Sequence, residues 1–256
     1  MKRYVVAAAA LAGAGALALL PLAAHADPLV QNGDFELSSY SVNHQFGSGG
    51  LVPSPAQGVT DWTGNNGYNL YFISGTDTTT SAVSQYVTGK ERLYPNTTTG
   101  EAPSALDPNG GNFVGLDGEQ TSGVQGGISQ TINGLTPGMT YEVSFDWGAG
   151  QVQSRTGPTK SSLTVSLGGS QSYNTGYVDN PSEDFTGWFH AAYDFTATGT
   201  SEVLSFLSVG EPTGLPPMAT LDSVSMNAVP EPGSLALLGF GLLGLGFVVY
   251  RRRRSA

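Results

Sequence analysis

The sequence predicts an all-β protein, folded as an antiparallel sandwich. Three observations point there. First, apolar and polar residues alternate in short segments, most clearly over Thr140–Trp147. Tyr141, Val143, Phe145 and Trp147 share one face there, and Glu142, Ser144 and Asp146 share the other. A period of two carrying four large apolar residues marks a half-buried strand. Second, turn-forming pairs punctuate these segments: Asn32-Gly33, Asp117-Gly118, Asn133-Gly134 and Pro137-Gly138. Third, no useful length of helical period appears between Asp27 and Ala228, and few charges with abundant Gly, Ser and Thr suit strands better than helices.

Taken in order, Leu29–Gln31 reads as a short strand before the Asn32-Gly33 turn, and a loop-rich region follows to Gln57. Tyr68–Ser74 has apolar residues on both faces, which predicts a strand covered on both sides. Residues 75–111, with Pro95, Pro103 and Pro108 and two Thr triplets, read as a long surface-loop insertion with one strand at Ser81–Val87. Strands follow at Phe113–Leu116, Gly127–Ile132, Thr140–Trp147, Ser162–Leu167, Phe189–Phe195, Glu202–Leu207 and Thr220–Met226. In the Phe189–Phe195 segment, Phe189, Tyr193 and Phe195 face inward, while Trp188, His190 and Asp194 face the other way. Trp62 and Trp147 read as core residues. Eight or nine short strands separated by Gly, Pro and Asn turns make a sandwich.

Both ends of the chain stand apart from this body. Residues 1–26 have a basic start (Lys2, Arg3), an apolar stretch and an Ala24-His25-Ala26 cleavage site, the pattern of a secretory signal peptide. At the other end, residues 229–256 join Pro230-Glu231-Pro232 to an apolar span, 235–250, and then to Arg251, Arg252, Arg253 and Arg254. Sixteen residues of helix reach roughly 24 Å, short of a ~30 Å hydrocarbon core by a margin that snorkelling Arg side chains cover. The Arg cluster belongs on the cytoplasmic side, which leaves the body outside the cytoplasm. The body, residues 27–228, is one domain's worth of chain.

Charge narrows the functional classes. The net charge of −10 hides nineteen acidic residues in the body against Lys90, Arg92, Arg155 and Lys160. Such a body repels phosphate backbones, so nucleic acid is excluded as a partner, and it attracts divalent cations. The chain has no cysteine, which excludes disulfides, thiolate metal sites and thiol catalysis.

The tail resembles the PEP-CTERM sorting signal of exopolysaccharide-producing Gram-negative bacteria, through its Pro-Glu-Pro triplet, apolar span and Arg cluster in that order. The resemblance implies recognition and processing by exosortase, a membrane-embedded cysteine transpeptidase. It implies an inner-membrane-anchored precursor with its body in the periplasm, and a mature form at the cell surface or in the extracellular matrix. The body is similar in layout to the choice-of-anchor bacterial surface domains and related plant cell-wall proteins. The matching stretches are Asn32-Gly33-Asp34-Phe35-Glu36, Asp61-Trp62, Phe113–Gly118, Gly127–Thr131, Tyr141–Phe145 and Leu221–Ser225. That layout implies a galactose-binding-like jelly roll. It also implies a structural Ca²⁺ shared by Glu36 and Asp222, with Asp34 beside them; hard oxygen ligands are what calcium requires.

A sugar site needs exposed rings beside polar groups. Trp188 and His190, opposite the core face, are the first glycan-binding candidates, and Tyr68 and Tyr71 the next. No catalytic residue is assigned. His44 and His190 are the histidines left after export, and neither has metal-ligand spacing or a nucleophile elbow beside it. Asp117 with Glu119, and Glu183 with Asp184, are the carboxylate pairs a glycosidase reading would use. The Gly239–Gly244 segment matches G-x-G-x-x-G but lies inside the apolar span and follows no strand, so it is no dinucleotide site. The expected protein is therefore a non-enzymatic surface or matrix protein associated with exopolysaccharide or biofilm. A specific carbohydrate-binding module and a polysaccharide hydrolase are the alternatives.

Overall fold

The computed structural model describes residues 28–47, 58–65, 67–78, 88–121 and 123–230, together with 241, 243 and 250. The expected signal peptide, the expected strand over 81–87, most of the 235–250 span, Glu231, Pro232 and Arg251 to Arg254 lie outside the described residues. In chain order the elements are β1 (His44–Phe46), β2 (Thr63–Gly64), β3 (Asn69–Phe72), α1 (Pro103–Leu106), β4 (Phe113–Asp117), β5 (Gly127–Asn133) and β6 (Thr140–Gln151). They continue with β7 (Thr159–Leu167), β8 (Gln171–Asn174), β9 (Val178–Asn180), β10 (Phe189–Thr196), β11 (Ser201–Glu211) and β12 (Pro217–Ala228).

The strands form two sheets, and every pairing between them is antiparallel. The first sheet runs β1-β3-β4-β12-β6-β10, and the second β2-β5-β11-β7-β8, with β9 also paired to β7. From β4 to β7, and again from β10 to β12, successive strands cross from one sheet to the other. Two four-strand orders result, β4-β12-β6-β10 facing β5-β11-β7-β8, which is the wrapping of a jelly roll.

The main core lies between the sheets. Val143, Phe145 and Trp147 of β6 meet Leu163, Val165 and Leu167 of β7 and Leu204 and Phe206 of β11, all buried. Phe145 stands edge-on to Phe206, with ring centroids 5.0 Å apart, a favourable aromatic geometry. Trp62 and Trp147 are in this core, as their neighbours in sequence suggested.

A second apolar cluster sits on the outer face of the first sheet. Leu70, Phe72, Phe113 and Met218 point away from the main core, and Leu93 and Val152 cover them. The covering chain comes from residues 88–106. Asp77, fully buried, holds it down by accepting from Ser104 N at 2.8 Å and Ser104 Oγ at 2.7 Å. Part of the segment that reads as a surface loop is thus a lid on the sheet.

Three strand expectations change. Leu29–Gln31 is not a strand, because the Gln130 amide satisfies both backbone groups of Gln31, at 2.8 Å each, in place of a ladder. Phe189 is 40% exposed rather than inward, since it opens edge strand β10 and rests against the rim of Trp147. β6 continues past Trp147 to Gln151, where the sequence loses its alternation. Small residues are needed there: a Cβ on Gly148 would lie 2.5 Å from the Gly187 carbonyl oxygen and 2.8 Å from the Phe185 ring.

Two measurements check this packing. Leu93→Ala should lower the free energy of urea unfolding by about 2–4 kcal/mol, because the lid leaves a cavity over the first sheet. The second concerns Asp117, which burial pushes up to about 7; the Glu119 N–H partly offsets this and the Glu119 charge adds to it. A carboxyl raised in the folded state binds its proton there but not in the unfolded chain. Its contribution to stability therefore falls as pH rises from about 4 to about 7, by at most roughly 1.4 kcal/mol per pH unit. Asp117→Asn should gain stability relative to the native protein across that window and hold the gain above it, measured by urea titrations at stepped pH.

Candidate functional site

The aromatic candidates are placed by the first sheet and its lid. Tyr71 is only 1% exposed, and its hydroxyl donates to the Phe35 carbonyl at 3.0 Å; burial pushes its phenol up to about 12. It is a core residue and offers no sugar platform, because β3 is buried on both faces. Trp188 is half-buried. Its indole N–H donates to the Pro103 carbonyl at 2.9 Å, and its ring meets Phe113 and Phe185 edge-on. Tyr68 packs against the same second cluster. Both rings seal the lid rather than present a face in a groove. His190 is exposed, with Nδ1 2.9 Å from Asp146 Oδ1, and the other oxygen of Asp146 accepts from Asn109 Nδ2.

The acidic candidates come from the opening loop and from β12. Both oxygens of Glu36 accept from Asn112, from its N–H at 2.6 Å and its side-chain amide at 2.9 Å. Gly111 makes this approach possible: it has φ +103°, and a Cβ there would lie 1.9 Å from Glu36 Oε1. Asp222 is fully buried, and its near partner is Asp107, a residue not singled out in the sequence. Burial first, then the like charge of the neighbouring Asp107, drives the Asp222 carboxyl far above the usual range, with Asp34 adding a weaker like charge. Asp222 Oδ1 and Asp107 Oδ2 are both buried without a hydrogen-bond partner. Such a pair needs a proton or a cation between its members. Among the described residues no group of three or more His, Asp or Glu side chains is arranged to hold a metal ion.

The carboxylate pairs of a glycosidase reading are held in structural roles. Asp117 accepts from Glu119 N at 2.8 Å, and Glu119 accepts from Thr121 Oγ1 and Gly214 N. Asp184 accepts from the Thr97 and Phe185 N–H groups, and Glu183 from Tyr94.

The open surface lies elsewhere, on the outer face of the second sheet. There the inward residues of β5, β11 and β7 leave Ser129, Ser205 and Ser166 pointing out. A cavity of about 380 Å³ is lined by Asn65, Ser129, Thr164, Ser166, Ser172 and Ser205, among others, and its lining contains no Asp, Glu, Lys or Arg. A second, of about 590 Å³, adjoins it through Gly169 and Ser205 and reaches Thr131, Val203 and Glu202. Burial alone would raise the Glu202 carboxyl. Donations from the Thr198 hydroxyl and from the Thr198 and Gly199 N–H groups outweigh that and hold it below the usual range. These serines escaped sequence reading. Polar alternates in Ser162–Leu167 show only that one face is wet, Glu202–Leu207 shows not even that, and strand register decides which hydroxyls meet.

Residues 228–254 match the PEP-CTERM protein-sorting motif. The chain carries an exosortase sorting signal. A motif of this kind implies an exported protein, anchored in the membrane before exosortase processes it. No curated protein sequence matches the chain. Among solved structures, the carbohydrate-binding module TmCBM61 in complex with β-1,4-galactotriose is 14% identical, with a TM-score of 0.40 over 80% of this chain and 100% of that one. The CBM22-1 xylan-binding domain of Paenibacillus barcinonensis Xyn10C is 14% identical, with a TM-score of 0.35 over 80% and 97%. The enzymatically active domain of bacteriophage CBA120 tailspike protein 4 is 13% identical, with a TM-score of 0.35 over 79% and 21%. Likeness at this level bears on neither ligand nor activity, and the jelly-roll assignment stands on the strand order itself.

Proposed function

We propose that this is an exported, exosortase-sorted carbohydrate-binding protein without catalytic activity, which acts at the cell surface or in the exopolysaccharide matrix. The sorting half of this reading is supported by the motif at 228–254. The binding half is carried by one observation: the open trough on the second sheet sets uncharged polar groups (Asn65, Ser129, Thr164, Ser166, Ser172, Ser205) beside apolar wall from Ile128, Phe206 and Leu207. Sugars offer both hydroxyls and apolar C–H faces, so a trough that mixes uncharged polar groups with apolar wall suits them. The carboxylates that hydrolysis would need accept hydrogen bonds within the fold, which favours binding over turnover.

Two tests follow. In a host that expresses exosortase, C-terminal mass spectrometry of the mature protein should show that Arg251 to Arg254 have been removed. In an exosortase-deleted host the same protein should keep them, and retention in both hosts would reduce the tail to a plain anchor. Binding of the full-length protein to a glycan array should be saturable, with no released sugar on prolonged incubation; turnover would return the hydrolase reading.

Calcium belongs to the same proposal, with a changed ligand set. Asp107 and Asp222 would hold the ion through their two unpartnered oxygens, while Glu36 secures Asn112. The ion would bring the opening loop, the 107–112 loop and β12 together. Asp222 must lose its proton to bind it, so calcium stabilisation should grow as pH rises. Melting in millimolar calcium against a chelator should show a higher Tm with calcium for the native protein and no difference for Asp222→Asn. Equal melting of the native protein in both conditions would remove calcium from the account.

A further inference from the structure

Strand register brings hydroxyls from five strands into one row. Thr63 of β2 is opposite Ser129 of β5, and Ser129 is opposite Ser205 of β11. Ser205 is opposite Ser166 of β7, and Ser166 is opposite Ser172 of β8. Adjacent strands are ~4.8 Å apart, so the row crosses the outer face of the second sheet over about 19 Å. Ser166 and Ser205 hydroxyls lie 2.9 Å apart at its centre. A parallel row flanks it, where Asn174 donates to Thr164 Oγ1 at 3.0 Å. The smaller cavity lies along this row, lined by its Ser129, Ser166, Ser172 and Ser205, and the larger one meets the row at Ser205.

We infer that this row binds a neutral, extended polysaccharide strand lying across the β-strands, one sugar to each one or two serines. The inference rests on the carbohydrate reading and specifies its ligand. The orientation follows from register, because donors and acceptors recur once per strand in the direction across the sheet and the strand spacing is close to the length of one pyranose. Neutrality follows from charge: the smaller cavity is lined by no charged residue, and a body with nineteen acidic residues against four basic ones repels a uronate polymer. The exposed rings of Tyr173, Tyr177 and Phe189 are absent from the linings of both cavities, so recognition runs through hydroxyl groups, bridging water and contact with the apolar wall of Ile128, Phe206 and Leu207 rather than through stacking on an exposed ring. Each sugar is then held weakly, affinity accumulates along the polymer, and binding is insensitive to salt.

Affinity electrophoresis and calorimetry with the full-length protein test this, using neutral glucan, galactan, xylan and mannan beside polygalacturonate and alginate. The native protein should bind at least one neutral polymer, with the same affinity in low and high salt, and should bind the uronate polymers more weakly. Ser166→Ala with Ser205→Ala should weaken that binding about tenfold or more, the loss expected for two hydrogen-bonding hydroxyls. The matched control is Ser144→Ala with Ser225→Ala, which removes a hydroxyl pair 2.8 Å apart on the first sheet and should leave binding unchanged. Ser205→Thr keeps the hydroxyl and should retain most of the affinity, and thermal melting identifies any variant that fails to fold. Native binding that survives in the Ser166/Ser205 variant overturns the row and leaves the carbohydrate reading intact. Preference for a uronate polymer overturns neutrality. Failure of the native protein to bind any polysaccharide overturns the carbohydrate reading and this inference with it.

Discussion

The hydrogen-bond ladder between β12 and its neighbours β4 and β6 is the interaction on which the rest of the structure depends. β12 is the last strand among the described residues, yet it lies in the middle of the first sheet and pairs with β6 from Pro217 to Ala228, with one irregularity between Asp222 and Ser225. The first sheet cannot close until the chain has been made as far as Ala228. Val229 then donates to the Thr140 carbonyl, and the sorting motif begins at residue 228, where the strand ends. The domain and its sorting motif are therefore joined with no spacer, and the fold brings its central strand directly up to the start of the motif.

The two outer faces of the sandwich have different fates, for a simple physical reason. On the first sheet, Leu70, Phe72, Phe113 and Met218 are apolar on the side away from the core, so that face must be covered. The chain at 88–106 covers it, anchored through Asp77 and Ser104. On the second sheet the outward positions are mostly Ser, Thr and Asn, with Val203, Leu207 and Val209 of β11 among them, and that face stays open. Burial of a hydrophobic outer face and exposure of a polar one thus separate the structural side of the molecule from the side available to a ligand. The aromatic side chains follow the same division. Trp188, Tyr68 and Tyr71 serve the covered sheet, which is why rings that looked like sugar platforms in the sequence turn out to be packing residues.

Much of the fold was legible in the chain because period-two alternation and turn pairs are local signals. Thr140–Trp147 and Ser162–Leu167 each announce their inward faces, and Trp62 and Trp147 fall in the core as read. The losses have local causes too. β1, β2, β8 and β9 are two to four residues long, too short to show a period. Gly148-Ala149-Gly150 hides the continuation of β6, because close approach of the Gly187 backbone selects for small residues there instead of alternating ones. Leu29–Gln31 has a strand's composition, but a side-chain amide from Gln130, 99 residues away, takes the hydrogen bonds a strand would have used.

What the sequence determined by itself is the class of fold and the presence of the sorting motif. Alternation, turns, charge distribution and the terminal segments are properties of consecutive residues, and the sorting motif is recognised in that linear form. The tertiary structure alone decided where a ligand and an ion have room. Asp107 and Asp222 are 115 positions apart in the chain, and Thr63 and Ser205 are 142 apart. Buried like charges and a row of hydroxyls arise only when cross-strand register brings such residues together, and register is a long-range property that no local pattern encodes.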